Sequence, residues 1–275
     1  MIEKQVSVRD VSYFVREKGS GIPIVFLHGF LGSVHSFDDS LQHFHAPNYR
    51  LVMIDCLGHG RSSKVEKSTR FYDFEQVRDL HEIFLQLQIE KPILVGYSMG
   101  GRLALSYART FPNELRGCIL ESSTPGIIDK EEREKRVIED SVRARFIREN
   151  GLKAFLIDWN NLLLFSGLQA MNPEKKKLYE IMKENQSPGS MAASLEGFST
   201  GVMQSHWDEL SKWNFPVLIL VGEKDEKFSL IAKKMHKLLK NSKVTIVENC
   251  GHAIHMEQSE KFGKIVSDAC KNFFR

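Results

Sequence analysis

The alternation of short apolar runs with longer stretches of helical periodicity is the feature that most limits the folds open to this chain. Six strand-length runs occur in order: IPIVFLHG, YRLVMIDCLG, KPILVGYS, GCILESS, PVLILVGEKD and KVTIVENCGH. Such runs, separated by helical segments, are typical of βαβ units on a mostly parallel sheet. We therefore predict an α/β fold with helices flanking a central sheet, preceded by a hairpin over VSVRDVSYFVREKG. Functional residues in such sheets collect at the carboxyl ends of the strands.

Residues 124–212 interrupt this alternation, because they contain helical patterns and no strand signal. We predict that this segment is a helical cap over the strand ends, and that residues 1–123 and 213–275 form the α/β core. The first cap helix is expected to stop at Gly151. Its acidic and basic residues balance, so a nucleic-acid surface is not expected there.

The composition limits the possible partners. The net charge of +3 is small and dispersed, so neither nucleic acid nor an anionic membrane is an expected partner. The longest apolar runs are of strand length, and the N-terminal segment carries charges where an export signal needs an apolar region. We therefore expect a cytoplasmic protein. The cysteines lack CxxC spacing and are expected to be free thiols without a metal: Cys56, Cys118, Cys250 and Cys270.

The pentapeptide GYSMG places Ser98 between a predicted strand and a predicted helix. This is the context of a nucleophile elbow, in which small glycines permit the sharp turn that exposes the serine hydroxyl. A reactive serine also needs a nearby base and a third group that orients the base. Asp225 and His252 follow two later predicted strands, in the chain order that this type of sheet uses. Glu223 and His255 are the alternatives for the acid and the base.

An oxyanion formed near Ser98 would need hydrogen-bond donors. The predicted donors are the backbone N–H groups of Phe30, which follows the run ending in HG, and of Met99. His28 and His59 lie in predicted loops, and we expect both to be structural.

The motifs HGF, D-x-x-GHG-x-S, GYSMGG, a late Asp and a final GH together span nearly the whole chain. In these motifs the chain resembles the α/β-hydrolase family, which implies that fold. The fold does not define the reaction, because it hosts esterases, lyases, dehalogenases and inert receptors. Dehalogenases of this family carry an aspartate at the elbow, so Ser98 argues against that activity.

Arg102 follows Ser98 by one helical turn, so both side chains are predicted to face one cavity. A buried guanidinium needs an anionic partner, and a substrate carboxylate is the candidate. The segments GYSMGGRLAL, SSTPGI, DWNNLLLF and GEKDEKF resemble the 2-succinyl-6-hydroxy-2,4-cyclohexadiene-1-carboxylate synthases of menaquinone biosynthesis. This resemblance implies a lyase that eliminates pyruvate from a small-molecule tricarboxylate, 2-succinyl-5-enolpyruvyl-6-hydroxy-3-cyclohexene-1-carboxylate.

The same resemblance implies the site residues. It implies a triad of Ser98, Asp225 and His252, in which the serine acts as a general base rather than as a nucleophile. The implied substrate contacts are Tyr97, Arg102, Arg136 and Trp159, with Lys183 in place of a third family arginine and Arg133 as the alternative to Arg136. No metal or organic cofactor is implied.

Two other functions fit the motifs. A small-molecule carboxylesterase or a carbon–carbon bond hydrolase would use the same triad through an acyl-enzyme, and is favoured if the cavity is apolar and Arg102 faces solvent. A non-enzymatic ligand receptor would show ligand-dependent melting without turnover. We expect a monomer or a weak homodimer in each case.

Overall fold

The computed structural model describes residues 1–274, which contain one eight-stranded sheet with helices on both faces. The strands are β1 Ile2–Val8, β2 Val11–Gly19, β3 Ile22–Leu27, β4 Tyr49–Ile54, β5 Ile93–Tyr97, β6 Gly117–Glu121, β7 Val217–Gly222 and β8 Ser242–Val247. The α-helices are α1 Asp38–Leu41, α2 Asp73–Gln86, α3 Met99–Thr110, α4 Lys130–Asn160, α5 Pro173–Glu184, α6 Pro188–Gly197, α7 Glu226–Leu238, α8 Ile254–Glu257 and α9 Ser259–Asn272.

The strand order is β1-β2-β4-β3-β5-β6-β7-β8. The first two pairings, β1 with β2 and β2 with β4, are antiparallel, and all later neighbours are parallel. The predicted α/β fold and the predicted opening hairpin are therefore confirmed.

The central strands are apolar along their whole length because helices cover both faces of the sheet. Every residue of β5, β6 and β7 is buried, as expected for a parallel sheet enclosed on both sides. The edge strand β8 is only partly buried and exposes Lys243. A charged side chain on an edge strand disfavours pairing with another chain.

Alternate residues of each strand pack into two separate cores. In β3, Val25 and Leu27 belong to the core that is covered by α2, α3 and α7. Ile24 and Phe26 belong to the opposite core, which α9 covers. Successive side chains of a strand point to opposite faces of the sheet, so residues two positions apart pack into the same core.

The chain between β6 and β7 forms α4, α5 and α6 together with two 3-10 segments, Leu163–Ala170 and Trp207–Lys212. We refer to residues 124–212 as the cap; the limits of this segment stay a prediction. Its apolar cluster joins α4 to α6 and reaches the core loop at Leu31. The first helical segment of α4 stops at Gly151, as predicted: the backbone leaves helical geometry there, at φ 78° and ψ 171°, and a second helical segment then continues to Asn160.

Two further observations concern the described chain as a whole. None of its helices combines the length and the apolar character that a membrane crossing requires. The four cysteines, all within residues 1–274, are free and buried, as predicted.

Candidate active site

Ser98 occupies a strained turn between β5 and α3. Its backbone lies at φ 48° and ψ −103°, and its N–H donates to the Glu121 carbonyl at 2.9 Å. Gly100 makes this turn possible, since a Cβ there would lie 2.0 Å from the Leu27 carbonyl oxygen. The serine side chain thus projects from the carboxyl edge of the sheet, where strained backbone at functional sites is commonly found.

Ser98, His252 and Asp225 form one hydrogen-bonded chain. The Ser98 Oγ lies 3.2 Å from His252 Nε2, and His252 Nδ1 lies 2.6 Å from Asp225 Oδ2. Asp225 also caps α7, because its Oδ1 accepts from the Phe228 N–H at 3.4 Å. One carboxylate oxygen therefore holds the helix and the other holds the imidazole. His252 and Asp225 are 1% and 6% exposed, so the pair is shielded from water.

The alternative acid and base lie elsewhere. Glu223 accepts from the backbone N–H of Asn249 at 2.9 Å and is exposed. The His255 Nδ1 is 2.9 Å from both carboxylate oxygens of Glu121, and both residues are buried. His255 borders a separate cavity of about 530 Å³, whose lining contains neither Ser98 nor His252. Neither Glu223 nor His255 contacts the Ser98 hydroxyl within the described chain.

A cavity of about 290 Å³ opens at the serine and lies between the sheet edge and the cap. Ser98 and His252 line it. Six more predicted residues line the same cavity: Phe30, Tyr97, Met99, Arg102, Arg136 and Trp159. Met99 is the first residue of α3, so its backbone N–H has no acceptor inside the helix.

Arg102 brings a positive charge to this cavity from the second turn of the elbow helix. Its guanidinium lies 4.6 Å from the centre of the Phe198 ring and donates to the Phe198 carbonyl. In the described residues no carboxylate lies within ion-pair distance of it. Burial, together with the nearby charge of Arg136, lowers the pKa of Arg102 to about 9.

Arg136 brings a second charge from the cap. Its Nε donates to Asp140 Oδ2 at 2.6 Å, and Asp140 also accepts from Arg143 at 2.7 Å and from the Ser199 hydroxyl at 2.6 Å. Burial would raise the pKa of Asp140, but these donors lower it below its ordinary value. Asp140 therefore stays ionised and fixes Arg136 at the cavity wall.

Two predicted substrate contacts do not line the cavity. Arg133 Nε donates to the Gly201 carbonyl at 3.3 Å. Lys183 is buried, donates to Asn160 Oδ1, and lies 4.2 Å from the centre of the Tyr179 ring. Tyr179 does line the cavity, so it separates the Lys183 ammonium from that space.

The cavity lining also includes residues that were not predicted from the sequence, among them Tyr179, Lys227 and Phe228. Phe228 packs against the triad histidine, with ring centres 4.6 Å apart. A signal for Lys227 and Phe228 existed, because both lie in the first turn of the helix that Asp225 caps. Tyr179 had no comparable signal, because helical periodicity does not reveal how a cap helix sits over a site.

Comparisons with known proteins agree with this fold. A family model described as the alpha/beta hydrolase fold matches residues 22–259. A Bacillus subtilis (strain 168) protein, provisionally named a 2-succinyl-6-hydroxy-2,4-cyclohexadiene-1-carboxylate synthase, is 40% identical over 269 residues, which cover 96% of each chain. The synthase of that name from Shigella flexneri serotype 5b (strain 8401) is 30% identical over 86% of this chain and 89% of its own.

A solved structure supports the same grouping. The MenH structure from S. aureus superposes with a TM-score of 0.88 at 33% identity, covering 94% of this chain and 97% of that one. The match includes most of the core and the cap, so it extends beyond the motifs around the serine. The chain belongs to the α/β-hydrolase fold family and, within it, is similar to the 2-succinyl-6-hydroxy-2,4-cyclohexadiene-1-carboxylate synthases.

Proposed function

We propose that this protein is a lyase of menaquinone biosynthesis. It eliminates pyruvate from 2-succinyl-5-enolpyruvyl-6-hydroxy-3-cyclohexene-1-carboxylate and releases 2-succinyl-6-hydroxy-2,4-cyclohexadiene-1-carboxylate. The names of its relatives supply the reaction. The observation that carries the proposal is one cavity that combines the Ser98–His252–Asp225 chain with the guanidinium groups of Arg102 and Arg136.

The charge on Arg102 supports an anionic substrate. A guanidinium held away from water and from carboxylates is unfavourable unless an anion compensates it. Arg102 is partly buried and, in the described residues, has no carboxylate within ion-pair distance, whereas Arg136 already shares Asp140. A substrate carboxylate would supply the missing partner and accept two parallel hydrogen bonds from the planar guanidinium.

The first chemical step is removal of a proton from the ring carbon next to the succinyl ketone. His252 accepts the hydroxyl proton of Ser98, and the serine oxygen takes the acidic C–H proton. Asp225 holds the imidazole in the tautomer that presents Nε2 to the serine, and it stabilises the imidazolium that forms. Serine is therefore a base in this mechanism, and no acyl-enzyme is formed.

The electrons of the broken C–H bond form an enolate, whose oxygen needs donors. The backbone N–H groups of Met99 and Phe30 are the proposed donors, because both residues line the cavity beside Ser98. When the enolate collapses, a double bond forms in the ring and the C–O bond to the enolpyruvyl group breaks. The leaving enolate takes up the proton held on the imidazolium and becomes pyruvate, so the triad returns to its starting state.

The carboxylesterase alternative is less well supported. An Arg102 side chain that faced solvent would favour the carboxylesterase function. In the structure Arg102 lines the cavity and packs against the Phe198 ring. Ester hydrolysis would leave two arginines beside the serine without a role. A hydrolase would, however, use the same serine, histidine and aspartate, so only an assay of both reactions separates the two functions.

The test follows pyruvate release from the enolpyruvyl substrate, generated in situ by the preceding enzyme, with the spontaneous background measured in parallel. We expect strong acceleration by the protein, none by Ser98→Ala, and a fall in kcat/KM of roughly 30-fold or more for Arg102→Gln, since a charged contact contributes about 2–3 kcal/mol. Arg109→Gln, on the same helix but outside the cavity, is the matched control and should stay within about twofold of the wild type.

The same preparations are assayed with short p-nitrophenyl esters. Ser98-dependent ester cleavage without accelerated pyruvate release would replace the lyase proposal with the esterase alternative. If the substrate stabilises the protein in a saturable way and neither pyruvate release nor ester cleavage is accelerated, the protein is a receptor instead.

A further inference from the structure

We propose that Lys227 is a third cationic contact for the substrate and sets the preference for a tricarboxylate. This inference rests on the proposed function, because the substrate of that reaction carries carboxylates on the ring, the succinyl chain and the enolpyruvyl group. Arg102 and Arg136 account for two of these charges. Lys227 lines the same cavity and provides a third positive charge.

The position of Lys227 places its charge away from the arginine pair. It is the second residue of α7, two residues after the aspartate that holds His252. The next residue, Phe228, packs its ring against the imidazole, at 4.6 Å between ring centres. Lys227 therefore belongs to the histidine side of the cavity, while Arg102 belongs to the elbow helix on the serine side.

Arg102 and Arg136 place their positive charges close together in one part of the cavity. Arg136 is close enough to Arg102 to disfavour the charged form of Arg102, and it shares Asp140. If all three carboxylates of the substrate contacted this pair of arginines, the carboxylates would lie close together and repel one another strongly. A cation on the histidine side would hold one carboxylate apart from the other two and so orient the ring over Ser98.

Lys227 is available for this contact. The Lys227 side chain is exposed, and within residues 1–274 no carboxylate forms an ion pair with its ammonium group. The lysine that matches a family arginine, Lys183, is instead occupied by Asn160 and the Tyr179 ring. Of these two lysines, Lys227 is the one that reaches the cavity.

The expected effect is moderate and salt-dependent, because an exposed lysine acts through water. Loss of the contact should raise KM about tenfold at low ionic strength and about threefold at 0.15 M salt, where charges more than about 8 Å apart are largely screened. The value of kcat should stay within about twofold, because the contact is present in both the bound substrate and the transition state.

The test measures KM and kcat for pyruvate release with Lys227→Gln, Lys227→Arg and Lys224→Gln at low and at physiological salt. Lys224→Gln is the matched control: it removes the same charge from an exposed lysine that precedes α7 by two residues and does not line the cavity. We expect the raised KM only in Lys227→Gln, and at low salt we expect recovery to within about threefold of the wild type in Lys227→Arg.

Each other outcome overturns the inference in a distinct way. If Lys227→Gln and Lys224→Gln have equal KM values while the wild type releases pyruvate, the inference fails and the proposed function stands. A fall in kcat at unchanged KM would mean that Lys227 acts on the Asp225–His252 pair and not on the substrate. If the wild type does not accelerate pyruvate release, the proposed function and this inference fail together.

Discussion

Arg102 supplies a constant positive charge at the scale of a single residue. Burial and the Arg136 charge lower its pKa to about 9, but the guanidinium stays protonated at neutral pH. Only the charged form pairs with a carboxylate. We predict that Arg102→Gln lowers kcat/KM by the same factor, roughly 30-fold or more, from about pH 6 to about pH 8. A loss that disappears towards the upper end of this range would mean that the substrate does not contact the charge of Arg102.

Lys183 should influence stability and not activity. Burial lowers its pKa to about 8, although Glu180 favours the charged form. In the unfolded chain the value is about 10.4, so between these limits the unfolded state binds more protons and stability rises with pH. Lys183→Met lacks this rise. From pH 7 to 10.5 the unfolding free energy of the wild type should therefore increase relative to Lys183→Met by up to about 3 kcal/mol.

Urea unfolding at several pH values measures this difference. Lys177→Met, an exposed position on the same helix, is the control and should show no pH-dependent difference. KM for pyruvate release should be unchanged in Lys183→Met, because Tyr179 stands between the ammonium and the cavity. A raised KM would place Lys183 in contact with the substrate after all.

The sequence predicts the placement of Ser98, Asp225 and His252 because each follows a buried strand, and parallel strands bring their carboxyl ends to one edge. Cap residues lack such a framework. Arg133 and Arg136 lie one turn apart on α4, and periodicity alone does not decide which of them lines the cavity. The structure adds the reason for Arg136: a buried aspartate, Asp140, lies four residues further on and holds it.

At the scale of elements, Gly151 divides α4 into two segments that each carry a cavity residue. Arg136 lies before the break and Trp159 after it. The Gly151 backbone, at φ 78° and ψ 171°, is in a region that residues with a Cβ rarely adopt. A Cβ there would meet no neighbouring atom within 4 Å, so the penalty is conformational and not steric.

We predict that Gly151→Ala lowers the free energy of unfolding by about 2 kcal/mol. It should also change KM, because a straightened helix would move Trp159 relative to Arg136. Denaturant unfolding and pyruvate release check both effects. Glu149→Ala, at an exposed position in the adjoining turn, is the control and should stay within about 0.5 kcal/mol of the wild type. Equal stability of the two variants would show that the break is not imposed by the glycine.

Glu121 joins the serine turn that follows β5 to α8, the helix that follows the triad histidine. Its carbonyl accepts from Ser98 at the end of β5, and its carboxylate accepts from the backbone N–H and the ring of His255 on α8. Both side chains of the pair are at most 1% exposed. Removing one member of a buried pair leaves the other without a partner in an apolar environment.

We predict that Glu121→Ala lowers the free energy of unfolding by roughly 3–5 kcal/mol, and that Glu121→Gln loses less because its amide oxygen still accepts a hydrogen bond. The double variant Glu121→Ala/His255→Ala should lose much less than the sum of the two single variants. Additive losses, measured by denaturant unfolding of the four proteins, would mean that the two side chains contribute independently.

For the whole molecule, the sheet was predictable because its signal is repeated in every strand, from the IPIVFLHG run of β3 to the KVTIVENCGH run of β8. The arrangement of the cap over the sheet was not. Its helices contact the core through residues such as Leu31, Ala193 and Phe198, and no repeated pattern records those contacts. The structure brings the predicted strand-end residues together, whereas no sequence pattern indicated the positions of Tyr179 and Lys183 above them.

The cavity walls come from both parts of the chain, with Arg102 on the core helix α3 and Arg136 on the cap helix α4. An anionic ligand that contacts both arginines would couple the cap to the core. We predict that the cyclohexadiene product, at about 100 times its Kd, stabilises the protein by roughly 2.7 kcal/mol and raises Tm by several degrees.

Hydrogen exchange localises this coupling. Amide exchange over residues 130–160 should slow when the product binds, because opening of the cap then requires release of the ligand. Arg102→Gln should lose both the Tm shift and the slowed exchange, while sodium sulfate at matched ionic strength should reproduce neither. Slowed exchange in α4 that persists in Arg102→Gln would mean that the cap alone holds the ligand, and that the two arginines do not act on one anion.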